Sequence, residues 1–152
     1  MKFCLLGVLT LLLCSCQSSE GPIHFQTFHL PSSPNYCLAC PKDYCAAESQ
    51  QLVPIYPVSL PQLQQAWDRT IAPEPRFSLV LDTPDQHQRV YVQKSALFRF
   101  PDFIHVQFIA ISEQTSTLAV YSHSKYGYSD FKVNQKRVLR LLERLGRSLT
   151  PE

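Results

Sequence analysis

No stretch of this 152-residue sequence is apolar for long enough to cross a bilayer as a helix. There is no G-x-S-x-G elbow, the usual seat of a hydrolytic serine. There is no internal repeat and no low-complexity tract, so nothing points away from a single ordinary domain. Charge of one sign is also lacking. The formal net charge is only +2, too small to suggest nucleic acid as a partner. The charge is unevenly spread, however. From Lys132 onward six cations face two acids, whereas Gln17 to Phe131 holds seven cations and ten acids. A basic C-terminal strip therefore sits on a mildly acidic body.

The chain begins with a targeting segment. Met1-Lys2 precedes the apolar run Phe3 to Leu13, which is long enough for a signal peptide. The run ends in Leu13-Cys14-Ser15-Cys16, with a small Ser just before Cys16 and Leu three places before it. This resembles a bacterial lipobox. The resemblance implies cleavage before Cys16 and its modification by palmitate-type acyl chains. Cys14 fits less well, because Leu13 would stand where a small side chain is wanted. Gln17, rather than Asp, follows the cysteine, and by resemblance to Gram-negative sorting rules that favours the outer membrane, facing the periplasm. The expected layout is a signal peptide over 1–15, a lipidated Cys16 with tether over 16–31, and one domain over 32–150.

Apolar content of 45% and charged content of 17% suit a folded core. Ile23 to Leu30 alternates weakly and reads as an extended arm. Pro31 to Pro57 holds five prolines and Cys37-x-x-Cys40-x4-Cys45, and reads as a loop wrapped over the domain. Ser59 to Ile71 is a helix: Ser59 and Gln62 match a capping box, and Leu60, Leu63, Ala66, Trp67 and Ile71 share one face. Four strands are expected next, over Arg76–Asp82, Arg89–Lys94, Phe103–Ile111 and Thr117–His123, with an aromatic connection Ser95 to Asp102. A last helix follows Asp130 or Asn134, with Val138, Leu141, Leu142, Leu145 and Leu149 on its apolar stripe and Lys136, Arg140, Arg144 and Arg147 on a basic one. The expected fold is α+β in the order α-β-β-β-β-α: a four-stranded antiparallel sheet with two helices on one face, the other face partly open.

Tyr121 to Arg137, YSHSKYGYSDFKVNQKR, gathers hydroxyls, a carboxylate, an amide and cations where the last strand turns into the last helix. This stretch resembles the C-terminal signature of the domain-of-unknown-function 1499 (DUF1499) family, roughly RSxSRxGYxDxGxNRxR. Ser122, Ser124, Gly127, Tyr128, Asp130, Asn134 and Arg137 carry the match, and Ser95, Phe98, Phe100, Asp102 and Phe108 match a second motif. Ala66-Trp67, Pro75-Arg76 and Ser33-Pro34-Asn35 also have counterparts. The resemblance covers about Ser32 to Leu145. The chain departs from the pattern at Tyr121 and Lys125, which replace arginines, at Phe103, which replaces an acid, and at Lys132, which replaces a glycine. The family is functionally uncharacterised, so the resemblance implies a fold and not a reaction.

Two readings of the corner compete. Ser122, Ser124, Lys125, Tyr128, Asp130, Asn134 and Arg137, with Asp102, form either an anion or polar-ligand pocket or an internally satisfied corner in which Asp102 pairs with Arg137. Ser122 and His123 are adjacent on a strand and point to opposite faces, which disfavours a hydrolytic triad. With Cys16 lipidated, Cys37, Cys40 and Cys45 leave one bridge and one spare thiol, with Cys45 paired to either Cys37 or Cys40. A thioredoxin-like CxxC pair is disfavoured by the proline-rich context, and zinc would need a fourth ligand such as His24 or His29. The five histidines read as surface or packing residues. No catalytic residue, metal ligand or cofactor is expected. The leading expectation is a lipid-anchored, non-catalytic interaction module whose partner is the membrane through its anchor, together with another envelope protein or an anionic small molecule. The alternatives are a thiol-dependent redox or metal-binding accessory of the periplasm and a purely structural envelope component.

Overall fold

The structure is a computed structural model that describes residues 20–150. The expected signal peptide and Cys16, the expected lipidation site, lie outside the described residues. Two helices and six strands follow in the order β1 (Tyr36–Cys40), β2 (Gln51–Leu52), α1 (Leu60–Ile71), β3 (Phe77–Thr83), β4 (Gln88–Lys94), β5 (Pro101–Ala110), β6 (Ser116–Ser124) and α2 (Val133–Leu149). The strands form one sheet in the order β2-β1-β6-β5-β4-β3. The β3-β4-β5-β6 part is the expected antiparallel meander.

The expected four-stranded sheet falls short at the other edge. β1 pairs antiparallel with β6 through Tyr36↔His123 to Ala39↔Val120, and β2 adds to β1 in parallel, so the sheet is six-stranded and mixed. The physical reason lies in the burial of β1. Cys37, Leu38, Ala39 and Cys40 are all buried, so the strand shows a continuous apolar run instead of an alternation. Pro34 and Pro41 stand just outside it and leave every ladder N–H available.

Both helices pack on one face, as their stripes require. Leu63, Ala66 and Trp67 of α1 and Val138, Leu141 and Leu145 of α2 meet Tyr91, Ile104, Val106, Phe108, Leu118 and Val120 in a continuous core. Trp67 is fully buried, with its ring 6.3 Å edge-on from Phe108 and 6.5 Å from Tyr91. At the start of α1 the Ser59 N–H donates to Gln62 Oε1 at 2.9 Å, the reciprocal half of a capping box. β3, at the edge of the sheet, carries a register shift between Leu79 and Leu81, and its Leu79 is half-exposed.

The opposite face is not open. The arm before β1 crosses it, and Phe25 is buried there against a second cluster containing Leu38, Cys40, Ala119 and Tyr121. Backbone geometry ties the arm down. The Gln88 side chain accepts from Ile23 N–H at 2.7 Å and donates to Ile23 O at 2.8 Å, and Ala46 N–H donates to Phe25 O at 3.0 Å. An irregular segment closes this face because its own polar backbone finds these partners.

Candidate functional site: a closed corner and an open aromatic rim

The corner is organised by Arg137, one turn into α2. Its Nε donates to Gln93 Oε1 at 2.6 Å, Nη1 to Ser122 Oγ at 3.0 Å and Asn134 Oδ1 at 2.6 Å, and Nη2 to Asp102 Oδ2 at 2.6 Å. The guanidinium is thus held from β4, β5, β6 and its own helix. Both members of the Arg137–Asp102 pair are nearly excluded from solvent. Asn134, fully buried, continues the network: its Nδ2 reaches Asn35 O at 3.0 Å, Ser124 Oγ at 3.0 Å and Asp130 Oδ2 at 2.7 Å. Asn35 Nδ2 in turn donates to Gly127 O at 2.6 Å, and Gly127 takes φ +89°, a conformation that suits glycine.

Asp130 caps α2 without standing at its first residue. Its Oδ1 accepts from Lys132 N–H at 3.0 Å and its Oδ2 from Asn134 N–H at 2.7 Å. The capping residue Lys132 is left-handed at φ 63°. With Val133 N–H also donating to Asp130 O at 3.0 Å, three donors at this helix start are held by Asp130, which leaves little of the cluster of free N–H groups that an anion site would use.

The structure therefore brings Asp102, Ser122, Ser124, Asp130, Asn134 and Arg137 together, and leaves Lys125 and Tyr128 outside. Lys125 lies over the Phe103 and Tyr126 rings, with Nζ 6.0 and 5.6 Å from their centroids. Tyr128 is 74% exposed. Gln93 and Asn35 are members that the sequence reading missed. Gln93 had a readable signal, since it is the polar residue directly across the β4–β5 pair from Asp102. The cleft beside the corner, lined in part by Cys37, Asp130 and Lys132, is about 170 Å³, below the usual volume of a small-molecule pocket.

The thiols and the basic stripe are also spoken for. Cys40 is bonded to Cys45, and Cys37 is free and buried. Burial, with the Asp130 charge nearby, pushes the Cys37 thiol up to about 11, which makes it inert as a nucleophile. The Cys37-x-x-Cys40 pair is therefore not the bonded one, and a cysteine metal set loses two of its three sulfurs. In the basic stripe, Arg140 Nη2 and Arg144 Nη1 donate to Glu74 at 2.7 and 2.9 Å, and Arg144 also reaches Thr70 O at 2.9 Å. Burial raises the Glu74 carboxyl, but the two guanidiniums outweigh it and hold the group below its ordinary value.

What stays open is a rim of side chains at one end of the sheet. Leu97, Phe98 and Phe100 come from the turn before β5, and Tyr126, Tyr128 and Phe131 from the turn after β6; their exposure runs from 53% to 87%. Phe98 stacks on Phe100 at 5.6 Å, and Phe100 meets Tyr126 edge-on at 6.2 Å. Exposed Arg99 and Lys132 and half-buried Lys125 stand among them. The first turn is closed by Ser95 N–H to Phe100 O at 2.9 Å and Phe100 N–H to Ser95 Oγ at 3.0 Å. Among the described residues no helix is long and apolar enough to cross a membrane.

Residues 30–145 match the profile of a family described as protein of unknown function (DUF1499). No curated protein matches the chain in sequence.

Proposed function

The chain belongs to the DUF1499 family, and on that premise we propose that it is a lipid-anchored protein of the bacterial cell envelope whose domain is a non-catalytic interaction module. The rim seats the domain on the bilayer surface. One observation carries this reading: six large apolar side chains are exposed together on two adjacent turns, above a corner that is internally satisfied. A scattered exposed aromatic needs no explanation, but a rigidly mounted cluster does. Tyrosine and phenylalanine interspersed with Arg99, Lys125 and Lys132 suit the headgroup boundary of an anionic membrane.

The position of the arm supports the same occupant. Glu20 lies beside His123, near the end of β6 from which the second rim turn departs. Only three residues separate it from Cys16, a reach of at most about 14 Å over four Cα steps. An acyl group on Cys16 would enter the membrane close to the rim, so anchor and rim act on one surface. The Gln17 that follows Cys16 supports the outer membrane's periplasm-facing leaflet as the site.

The test is flotation of the chain from residue 16 onward, carrying Cys16→Ser so that it is not acylated, with vesicles containing anionic lipid. Binding that falls at least tenfold in Phe98→Ser/Phe131→Ser, and that weakens with salt, is expected. Equal flotation of both proteins, or none by the parent, would refute the rim's role. Binding by the rim to a co-purified envelope protein, with no affinity for vesicles, would replace the bilayer by that protein. Labelled palmitate incorporated by the wild-type chain and not by Cys16→Ala tests the anchor separately.

A further inference from the structure

On the arm-covered face of the sheet, β5 and β6 place two histidines diagonally across the ladder, since His105 pairs with Tyr121 and Phe103 with His123. The two imidazoles are nearly parallel, 16° apart with centroids at 5.6 Å. Tyr121 braces them, stacked on His123 at 4.9 Å and tilted over His105 at 5.9 Å. The arm brings Glu20 to the same place. One ligand atom from each of Glu20, His105 and His123 lies within 4.8 Å of the others.

His105 makes this group more than a chance meeting. It is 1% exposed, and neither of its ring nitrogens has a hydrogen-bond partner among the described residues. A neutral imidazole always presents one N–H and one lone pair, and buried groups of this kind are almost always paired.

We infer that Glu20, His105 and His123 bind one divalent first-row transition-metal ion of the zinc class. Two imidazoles and one carboxylate, with a water in the open position, form a common ligand set for such ions. Ligand atoms on a tetrahedral zinc stand about 3.4 Å apart, so modest rotations of the two rings and the carboxylate close the set. The ion supplies the partner that His105 lacks. It also staples the arm to the strands, because Glu20 is the arm's contribution and both histidines belong to the sheet. The inference is independent of the bilayer reading. His24 and His29, elsewhere on the arm, take no part.

The full chain, extracted from membranes in detergent and stripped with EDTA, is dialysed against zinc or cobalt(II) alone. One equivalent of metal is expected by elemental analysis, with visible cobalt bands of a four-coordinate site and a rise in thermal midpoint on adding zinc. Glu20→Gln and His123→Ala, both at partly exposed positions, should each weaken binding at least tenfold, and His24→Ala/His29→Ala should leave it unchanged. Failure of the wild-type chain to hold stoichiometric metal would overturn the inference. Unchanged binding in Glu20→Gln/His123→Ala, or its loss in His24→Ala/His29→Ala, would do the same by putting the ion elsewhere.

Discussion

Arg137 and Tyr128 belong to one short stretch and lie nine positions apart, yet the first is 4% exposed and the second 74%. Around Arg137 polar groups meet only one another. Around Tyr128 apolar groups keep more than half of their surface in solvent. The corner inverts the common expectation that polar residues mark a site and apolar ones a core. A polar cluster that has satisfied its own donors and acceptors has nothing left for a ligand, whereas exposed rings on a firmly held turn still have their hydration to lose. The difference assigns stability to the corner and contact to the rim, and substitutions should separate the two.

The largest effect should come from Arg137→Ala. It leaves Asp102 charged and buried without its ion-pair partner and takes one donor each from Gln93, Ser122 and Asn134. A loss of about 3–5 kcal/mol is expected in denaturant melts. Arg137→Lys should recover only part of it, because an ammonium cannot reproduce the fork. A melt within 0.5 kcal/mol of wild type would mean that the corner does not hold the domain.

Opening the Cys40–Cys45 bridge with paired serines should cost about 2 kcal/mol, the closure entropy of so short a loop. The change falls at the β1 end of the sheet, so it should lower stability and leave vesicle binding by the folded protein alone. Glu74→Gln should cost about 1–2 kcal/mol after allowance for the half-exposed guanidiniums. Its pH dependence has a definite sign. The folded carboxyl titrates below its ordinary value of 4.5, so its stabilisation is present at neutral pH and disappears as pH falls through the folded value. Acid melts should therefore bring wild type and Glu74→Gln together below pH 4.5; curves that stay parallel would contradict the Arg140–Glu74–Arg144 clamp.

Lys132→Gly should stabilise by up to about 1 kcal/mol. Lys132 sits at φ 63°, where the family pattern has glycine, and the side chain is strained there. A clear loss of stability would mean that Lys132 makes a contact worth more than its strain. The smallest effect on folding should come from the rim itself. Phe98→Ser and Tyr128→Ser should each change stability by less than about 0.5 kcal/mol, the usual range for exposed positions. A larger loss in thermal melts would make the rim part of the core.

Much of this architecture was readable beforehand. The capping pair Ser59 and Gln62, the stripes of both helices and the inward residues of β5 and β6 follow the periods of 3.6 and 2 that local backbone geometry imposes. β1 escaped because both of its faces are buried, and a strand with no polar face has no alternation to read. The arm was read as an extended segment, but its seat on the sheet was not, because its order comes from Gln88 and from the loop after β1, partners far away in sequence. The composition of the corner was legible, and so was the pairing of Asp102 with Arg137. That the network closes on itself was not, because closure depends on Gln93 and Asn35 arriving from other strands. The rim rings were visible only as an aromatic connection, since exposure is a property of the whole fold.

The proposed division of labour can be tested most directly in the full chain, acylated at Cys16 as proposed, reconstituted into vesicles that carry nitroxide-labelled lipids. Trp67 is fully buried and gives a constant background. A second tryptophan is placed on the rim in Phe98→Trp, or at the opposite end of the sheet in Ile111→Trp, where the native side chain is 52% exposed. Emission from position 98 should shift to the blue and be quenched by the labelled lipid, while position 111 stays as in water. Equal behaviour at the two positions, or quenching at 111 alone, would contradict the assignment of the rim to the membrane.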